Sequence, residues 1–305
     1  MEKTLKNINY LSDLPYWLGF NYFFELGPAR FKLLLNFFGS AKKAWGSSLF
    51  DLQQIGLRPD LTDSFLTFKR NFNFAKVEKE LKNKKIFVLT WMDGDYPERL
   101  RNIDDSPPVL YVRTGIKRSN FSKFFSLPAV AVVGTRMVTP YGVSVTKEFV
   151  SGLIERKICI ISGMAKGVDG VAHRQAISDK GKTIAVLGSG VDVLYPPESK
   201  DIYGKLTSFD SGMVISEFPP GTKPSPQNFP FRNRIVSGLS DLVLVTEAAQ
   251  RSGSLITARL AAEQGKDVFA VPGRIDMPFS QGTTFLIQRG ARAVSGVGEI
   301  LDQLV

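Results

Sequence analysis

From Lys84 onward the chain alternates apolar runs with amphipathic helices, and few architectures accommodate that rhythm. The runs are Lys85 to Thr90, Val109 to Arg113, Ala129 to Gly134, Cys159 to Gly163, Thr183 to Gly188, Met213 to Glu217, Asp241 to Thr246 and Asp267 to Pro272. They are short, rich in β-branched residues and bounded by glycine or proline, which predicts strands. From Ala129 they are apolar throughout instead of alternating, so both faces of the sheet are covered. Strands separated by helices join in parallel. The expected fold is α/β, an extended Rossmann-like, doubly wound sheet over residues 79–305. Folds of this kind bind ligands at the carboxyl ends of their strands.

Residues 1–78 have a different texture and read as a small all-helical domain. Trp17 to Leu26 and Ala29 to Phe38 carry apolar residues at helical spacing. Gly27-Pro28 separates the two segments, Gly39-Ser40 ends the second, and Asp51 to Leu57 reads as a further short helix. Helix pairs joined by glycine turns are similar to sterile-alpha-motif and helix-hairpin-helix modules. The expectation here is a packing or oligomerisation module.

Charge narrows the partners. Lys and Arg number 39 against 29 Asp and Glu, a formal charge of +10. Such a surface favours nucleic acid or an anionic membrane over acidic proteins. No apolar run is long enough to span a bilayer, since Glu25, Arg30 and Lys32 break the Phe-rich N-terminal stretch. The first residues do not resemble a signal peptide, so a cytoplasmic location is expected. The lone cysteine, Cys159, excludes an intrachain disulfide and a cysteine-rich zinc site. It sits in an apolar strand and reads as a buried, inert thiol. The lone histidine, His173, lies in a helix, where packing or loop ordering is expected over general-base work. This scarcity argues against hydrolase chemistry.

The residues after each strand are the informative ones. Gly134-Thr135-Arg136 follows the third run. Gly134 is expected to let backbone approach a ligand, and Arg136 to project at the mouth, where its planar fork suits phosphate. Ser162 to Gly170 holds three glycines in one turn opening a helix, the composition of an anion-binding nest. Asp169 is read there as a cap that orders the helix. Glu247 to Leu255 opens another helix with Ser252, Gly253 and Ser254 as donors. Lys223 to Arg234 interleaves cations, amides and aromatics among three prolines with no acid. It is either a loop and helix with a solvated basic face, or a nucleic-acid lip in which cations hold phosphates while a ring stacks on an unpaired base. Two other motifs fail. Lys180 to Thr183 ends like a phosphate loop but lacks its first glycine and precedes a strand. Leu187 to Val193 begins like a dinucleotide fingerprint but has Val193 at the third glycine position. No catalytic residue, cofactor or metal is expected.

Taken together, Gly134-Thr135-Arg136…Tyr141-Gly142, Ser162 to His173, Ala185 to Pro196, Asn228 to Ser240, Glu247-Ala248…Ser252 to Gly265 and Val268 to Gly273 resemble the DNA-processing protein A (DprA/Smf) family. Asp95 to Leu100 and Leu26 to Trp45 extend the resemblance to nearly the whole chain. It implies a cytoplasmic, non-enzymatic protein of natural transformation that binds incoming single-stranded DNA, dimerises and helps load the RecA recombinase. Carried onto this sequence, the resemblance makes Arg136 and Lys223 backbone-binding cations and Phe229 a stacking residue. Asn228, Arg232, Asn233 and Arg234 lie beside that ring, and Gly134, Thr135, Gly163 and Lys166 line the same pocket. It places dimer contacts near Gly282 to Ala291 and a RecA contact on the helix around Arg259. Two departures stand out. The chain stops at Val305 without the C-terminal winged helix of many relatives, and Tyr195-Pro196-Pro197 lacks a lysine that some relatives carry. The competing reading is a nucleotide sensor or a nucleotide phosphoribohydrolase. Thr246 to Ser254 lacks the Pro-Gly-Gly motif that such enzymes show.

Overall fold

The computed structural model describes residues 10–304. Among them, six helices come first: α1 (Tyr10–Tyr22), α2 (Gly27–Phe38), α3 (Ala41–Gly46), α4 (Leu49–Gln54), α5 (Pro59–Asn71) and α6 (Phe74–Asn83). Their boundaries follow local chemistry. Pro28 occupies the first turn of α2, where a missing N–H costs nothing. Gly39 closes that helix in the left-handed region, with φ 78°. Ser48 and Asp51 cap α4 reciprocally. The buried Asp13 carboxylate accepts from Trp17 Nε1 at 3.0 Å and from the Ala41 and Lys42 amides at 3.2 and 2.6 Å, which ties α1 to the start of α3. Helix α1 ends at Tyr22, four residues before the expected Leu26, and Phe23 to Leu26 form the turn into α2.

The rest alternates as the sequence requires. The strands are β1 (Phe87–Thr90), β2 (Val109–Arg113), β3 (Ala129–Val133), β4 (Cys159–Ser162), β5 (Thr183–Val186), β6 (Gly212–Ser216), β7 (Leu242–Val245), β8 (Val268–Ala270) and β9 (Arg292–Ala293). Between them run α7 (Glu98–Arg101), α8 (Phe121–Phe125), α9 (Pro140–Glu155), α10 (Val168–Ser178), α11 (Lys200–Ser208), α12 (Asn228–Leu239), α13 (Ser254–Glu263) and α14 (Gln281–Gln288), with α15 (Gly298–Leu301) last. The sheet order is β1-β2-β6-β5-β4-β3-β7-β8-β9. β1 pairs antiparallel with β2, and β2 antiparallel with β6, while every other pairing is parallel. The parallel block thus carries an antiparallel edge. β9 has only two residues, too few to show a pattern in sequence.

Topology locates the site. From β3 the chain builds outward through β4, β5 and β6, then returns to place β7 on the other side of β3. Loops leaving the carboxyl ends of β3 and β7 therefore part from each other and open a crevice. One face of the sheet buries Ala131, Ile161, Val186 and Val243 against Ile235, Val236 and Leu239 of α12. The opposite face buries Val130, Val132 and Leu244 under Phe149 and Leu153 of α9 and Ala172 of α10. The N-terminal helices join the sheet itself: Trp17 and Phe31 share a core with Val109, Tyr111 and Val214. The expected domain division at 78/79 falls inside α6, and Lys84 beyond that helix pairs with both Glu80 and Asp192 at 2.6 Å. No helix among the described residues is long and apolar enough to cross a membrane.

Candidate nucleic-acid interface

The crevice holds a cavity of about 660 Å³ lined by Gly134, Thr135, Arg136, Gly163, Phe229, Arg232 and Asn233, all expected from sequence. Arg136 is exposed in the loop after β3, and its guanidinium lies 5.5 Å from the centroid of the Phe229 ring. Phe229, in the first turn of α12, stands 5.8 Å from Tyr195, with 32° between the ring planes. One cation and two rings thus meet at the mouth.

The loop that carries Arg136 is held from behind. Glu247, just past β7, accepts from Thr139 Oγ1 at 2.6 Å and Thr139 N at 2.9 Å, and its carbonyl accepts from Thr135 N at 2.7 Å. The Thr135 carbonyl in turn accepts from Val168 N at 3.1 Å. Thr135 lines the cavity from a mostly buried position, and its backbone ties the loop to Glu247 and Val168. Gly134 has a packing role beside its place in the cavity lining: a side chain there would collide with Val168 of α10 and the Glu247 carbonyl.

The glycine turn after β4 departs from the sequence reading in the same direction. Two of its donors are already taken. The Asp169 carboxylate accepts from Gly163 N at 3.1 Å and Ala165 N at 3.4 Å, so the protein supplies its own anion to the nest. Beneath it lies the Arg232 guanidinium, bonded to the Gly163 and Val186 carbonyls. A Cβ at Gly163 would collide with that guanidinium, which is the reason for glycine there. Arg232 is 5% exposed and Asp169 7%. Burial pushes the Asp169 carboxyl up against the pull of Arg232, and burial brings Arg232 down to about 10, still charged at neutral pH.

The solvated basic face is therefore corrected at two positions. Arg232 points inward, and Arg234 is 4% exposed, pairing with Glu217 at 2.6 Å and Asp105 at 2.9 Å. Arg234 lies outside the cavity, on the far side of α12. The exposed cations are others. Lys223 stands free on the loop before α12, whose Pro224 and Pro226 line the cavity. Lys166 borders a small side chamber under Phe229 and forms an exposed ion pair with Glu198, of the kind that solvent weakens. Asn228 donates to the Gly188 carbonyl at 3.1 Å and Asn233 to the Gly253 carbonyl at 3.4 Å, which fixes the start of α12 between two neighbouring loops.

The sequence model of the family described as DNA recombination-mediator protein A matches residues 87–305. The chain belongs to this family. It is 35% identical to Protein Smf of Synechocystis over 96% of its own length and 73% of that protein. It is 40% identical to the DNA processing protein DprA of Streptococcus pneumoniae over 75% of this chain and 77% of that one. The crystal structure of the pneumococcal protein superposes with a TM-score of 0.75, at 38% identity over 84% of this chain and 86% of that one. DNA processing protein A of Helicobacter pylori, whose structure is described as revealing a unique single-stranded DNA binding mode, gives a TM-score of 0.63 at 29% identity, over 72% and 95%.

In this DprA-family chain two cavity residues, Tyr195 and Arg251, and one anchor behind the cavity, Glu247, escape sequence reasoning. In sequence Tyr195 marks a helix stop and a missing lysine, yet it forms the second ring of the mouth. Arg251 is exposed in the cavity wall, on the Glu247–Leu255 loop whose sequence points to its amides. Glu247 lies in the same segment, and its anchoring role depends on Thr139, more than a hundred residues away. Only a signal coupling those positions would have revealed it.

His173 makes the DprA-family core sensitive to acid. It is fully buried, and Thr183 Oγ1, which donates to the Ile160 carbonyl, leaves an oxygen for His173 Nδ1–H at 2.7 Å. Nε2 has no hydrogen-bond partner among the described residues, so a second proton would be buried without an acceptor. Burial, with Arg232 adding to it, brings the imidazole down to about 3 from an ordinary 6.5. The unfolded chain takes up this proton near pH 6.5 and the folded chain does not. The contribution is therefore complete above pH 6.5 and lost as pH falls toward 3. By pH 5 roughly 2 kcal/mol should be gone. Urea unfolding at pH 7.5 and 5 tests this against His173→Gln, which should lose less by about that amount. Equal losses in both proteins would refute it.

Proposed function

We propose that this chain binds single-stranded DNA across the Arg136–Phe229 cavity and hands the strand to the RecA recombinase in natural transformation and recombination. The observation that carries the reading is the mouth itself. An exposed arginine and two aromatic rings converge where Lys223 and Arg251 add charge unopposed by any ion-pair partner among the described residues. Rings hold an unpaired base and cations hold its phosphates. Arg232 serves from behind by fixing the Gly163–Lys166 turn. The reading is of a binding protein and not an enzyme: Asp169, the buried carboxylate of the cavity, is engaged by amides and sits in the field of the Arg232 guanidinium.

The single-stranded DNA binding described for the Helicobacter relative, and the family's description as recombination mediators, support both steps. A homodimer through the Gly282–Ala291 region is part of the proposal, supported by Phe285 on α14 and Ile275 before it, which are 40% and 94% exposed. So is a RecA contact around Arg259, exposed on α13 beside Glu263. The proposed setting is the cytoplasm.

Titration of fluorescent single and double strands across salt tests the first step. Single strands should bind more tightly, because duplex bases offer no free face. Log affinity should fall with log salt by about 0.7 per phosphate engaged. Equal affinity for the two forms would refute the stacking role. Release of free base from nucleoside monophosphates would favour the hydrolase reading.

A further inference from the structure

A second cavity, of about 300 Å³, lies on the other side of the α12 start, between the N-terminal helices and the sheet. We propose that it is a second nucleobase subsite, which takes another unpaired base of the strand held at Arg136. The inference rests on the single-strand reading above and extends it.

The walls are aromatic. Phe24, 57% exposed, and Phe231, 62% exposed, stand at this cavity, with Phe218 behind Phe24 at 6.2 Å between ring centroids. Single exposed phenylalanines are ordinary on a surface, but rings gathered around one concavity are not. The size is at the lower end of small-ligand pockets, roughly 300–1,000 Å³. Polar groups are set where the edge of a flat heterocycle would reach. The Gln227 side chain makes no hydrogen bond among the described residues, and Asn228 spends its amide N–H₂ on Gly188 but keeps its oxygen. The Glu217–Arg234 pair seals one wall with a matched charge, so the pocket is neither a bare anion site nor a greasy hole.

Continuity with the first cavity decides the occupant. Phe229 and Phe231 are two residues apart in the first turn of α12, a spacing that sends their side chains to different sides of a helix. Phe229 lines one cavity and Phe231 the other. The loop before α12 forms the ridge between them: Thr222 lines the second cavity, Pro224 and Pro226 line the first, and Lys223 stands exposed at the crest. A strand crossing the ridge meets a ring, a cation and a ring in succession, the order of base, phosphate and base along a nucleic acid. An apolar side chain of a protein partner would fit the walls but would leave the crest lysine and the amides without a role.

The test uses the full chain and a short single strand of mixed sequence in which one abasic residue is moved from position to position. Phe231→Leu keeps apolar bulk and removes the ring. It should bind the intact strand about tenfold more weakly, the scale of one lost base stack. It should also become indifferent to an abasic residue at one position. Phe229→Leu should become indifferent at a different position, and Phe24→Leu should behave like Phe231→Leu. Because Phe24 and Phe231 are mostly exposed, their variants should unfold at the same temperature as the unaltered chain. Unchanged affinity in both Phe231→Leu and Phe24→Leu overturns the second subsite and leaves the Arg136 cavity standing. So does a common abasic position for Phe229 and Phe231. Failure of the unaltered chain to bind any single strand overturns the proposed function, and the subsite with it.

Discussion

Replacing Arg136 and Lys223 together with alanine should weaken single-stranded DNA binding at least a hundredfold at moderate salt, with no change in unfolding temperature. Each residue is exposed and neither has an ion-pair partner among the described residues, so their removal leaves no buried charge behind. The effect on folding should therefore be small. A hydrogen bond to a charged group contributes about 1.5–3 kcal/mol, so two such contacts account for a hundredfold or more. The variant also makes a second quantity move. If each cation displaces one condensed counterion from a single strand, the slope of log affinity against log salt should become shallower by about 1.4. A simple loss of surface charge remote from the strand would not change the slope by that amount. Affinity within threefold of the unaltered chain at moderate salt, with an unchanged slope, would remove these two residues from the interface.

The contrast between those cations and Arg232 and Arg234 shows where sequence reading ends. The alternation of apolar runs from Ala129 is a statement about hydrophobic burial on both sides of a sheet, and it carries the parallel architecture directly. The residues after β3 and before α12 are legible for the same reason, because topology alone sends them to the carboxyl edge. What a linear string does not carry is which face of α12 looks inward. Arg232 and Arg234 lie two residues apart, and on a helix they cannot both share the face of Phe229. Each is instead matched to a carboxylate from another element: Asp169 for the first, Glu217 and Asp105 for the second. A guanidinium reads as surface in a sequence because its burial depends on groups far away in the chain. The glycines mislead in a similar manner. In sequence Gly134 signals close backbone approach and Gly163 an anion nest; in the fold the space at each is needed by Val168 and by Arg232. In both cases the chain shows that space is needed without showing who fills it.

That buried pair yields the largest expected effect on stability. Asp169→Ala should cost about 3 kcal/mol, because it leaves the Arg232 guanidinium enclosed without the nearby charge that favours its ionised form. The carbonyls of Gly163 and Val186 still accept from Arg232, but they are dipoles and do not cancel a full charge. The same change frees the amides of Gly163 and Ala165, which lose their only acceptor in the turn. Arg232→Met should also destabilise, by stranding Asp169 in a site where burial already pushes its carboxyl upward. The double variant removes both charges and fills most of the volume with hydrocarbon. Its loss should fall short of the sum of the single losses by about 2 kcal/mol, the signature of direct coupling. Urea unfolding of the four proteins at pH 7.5 measures the cycle. Single-strand affinity should fall in Asp169→Ala although Asp169 touches no strand, since the Gly163–Lys166 turn depends on it. Additive losses across the cycle, or an Asp169→Ala midpoint equal to that of the unaltered chain, would mean that the two charges do not hold each other and that the cavity floor is set by something else.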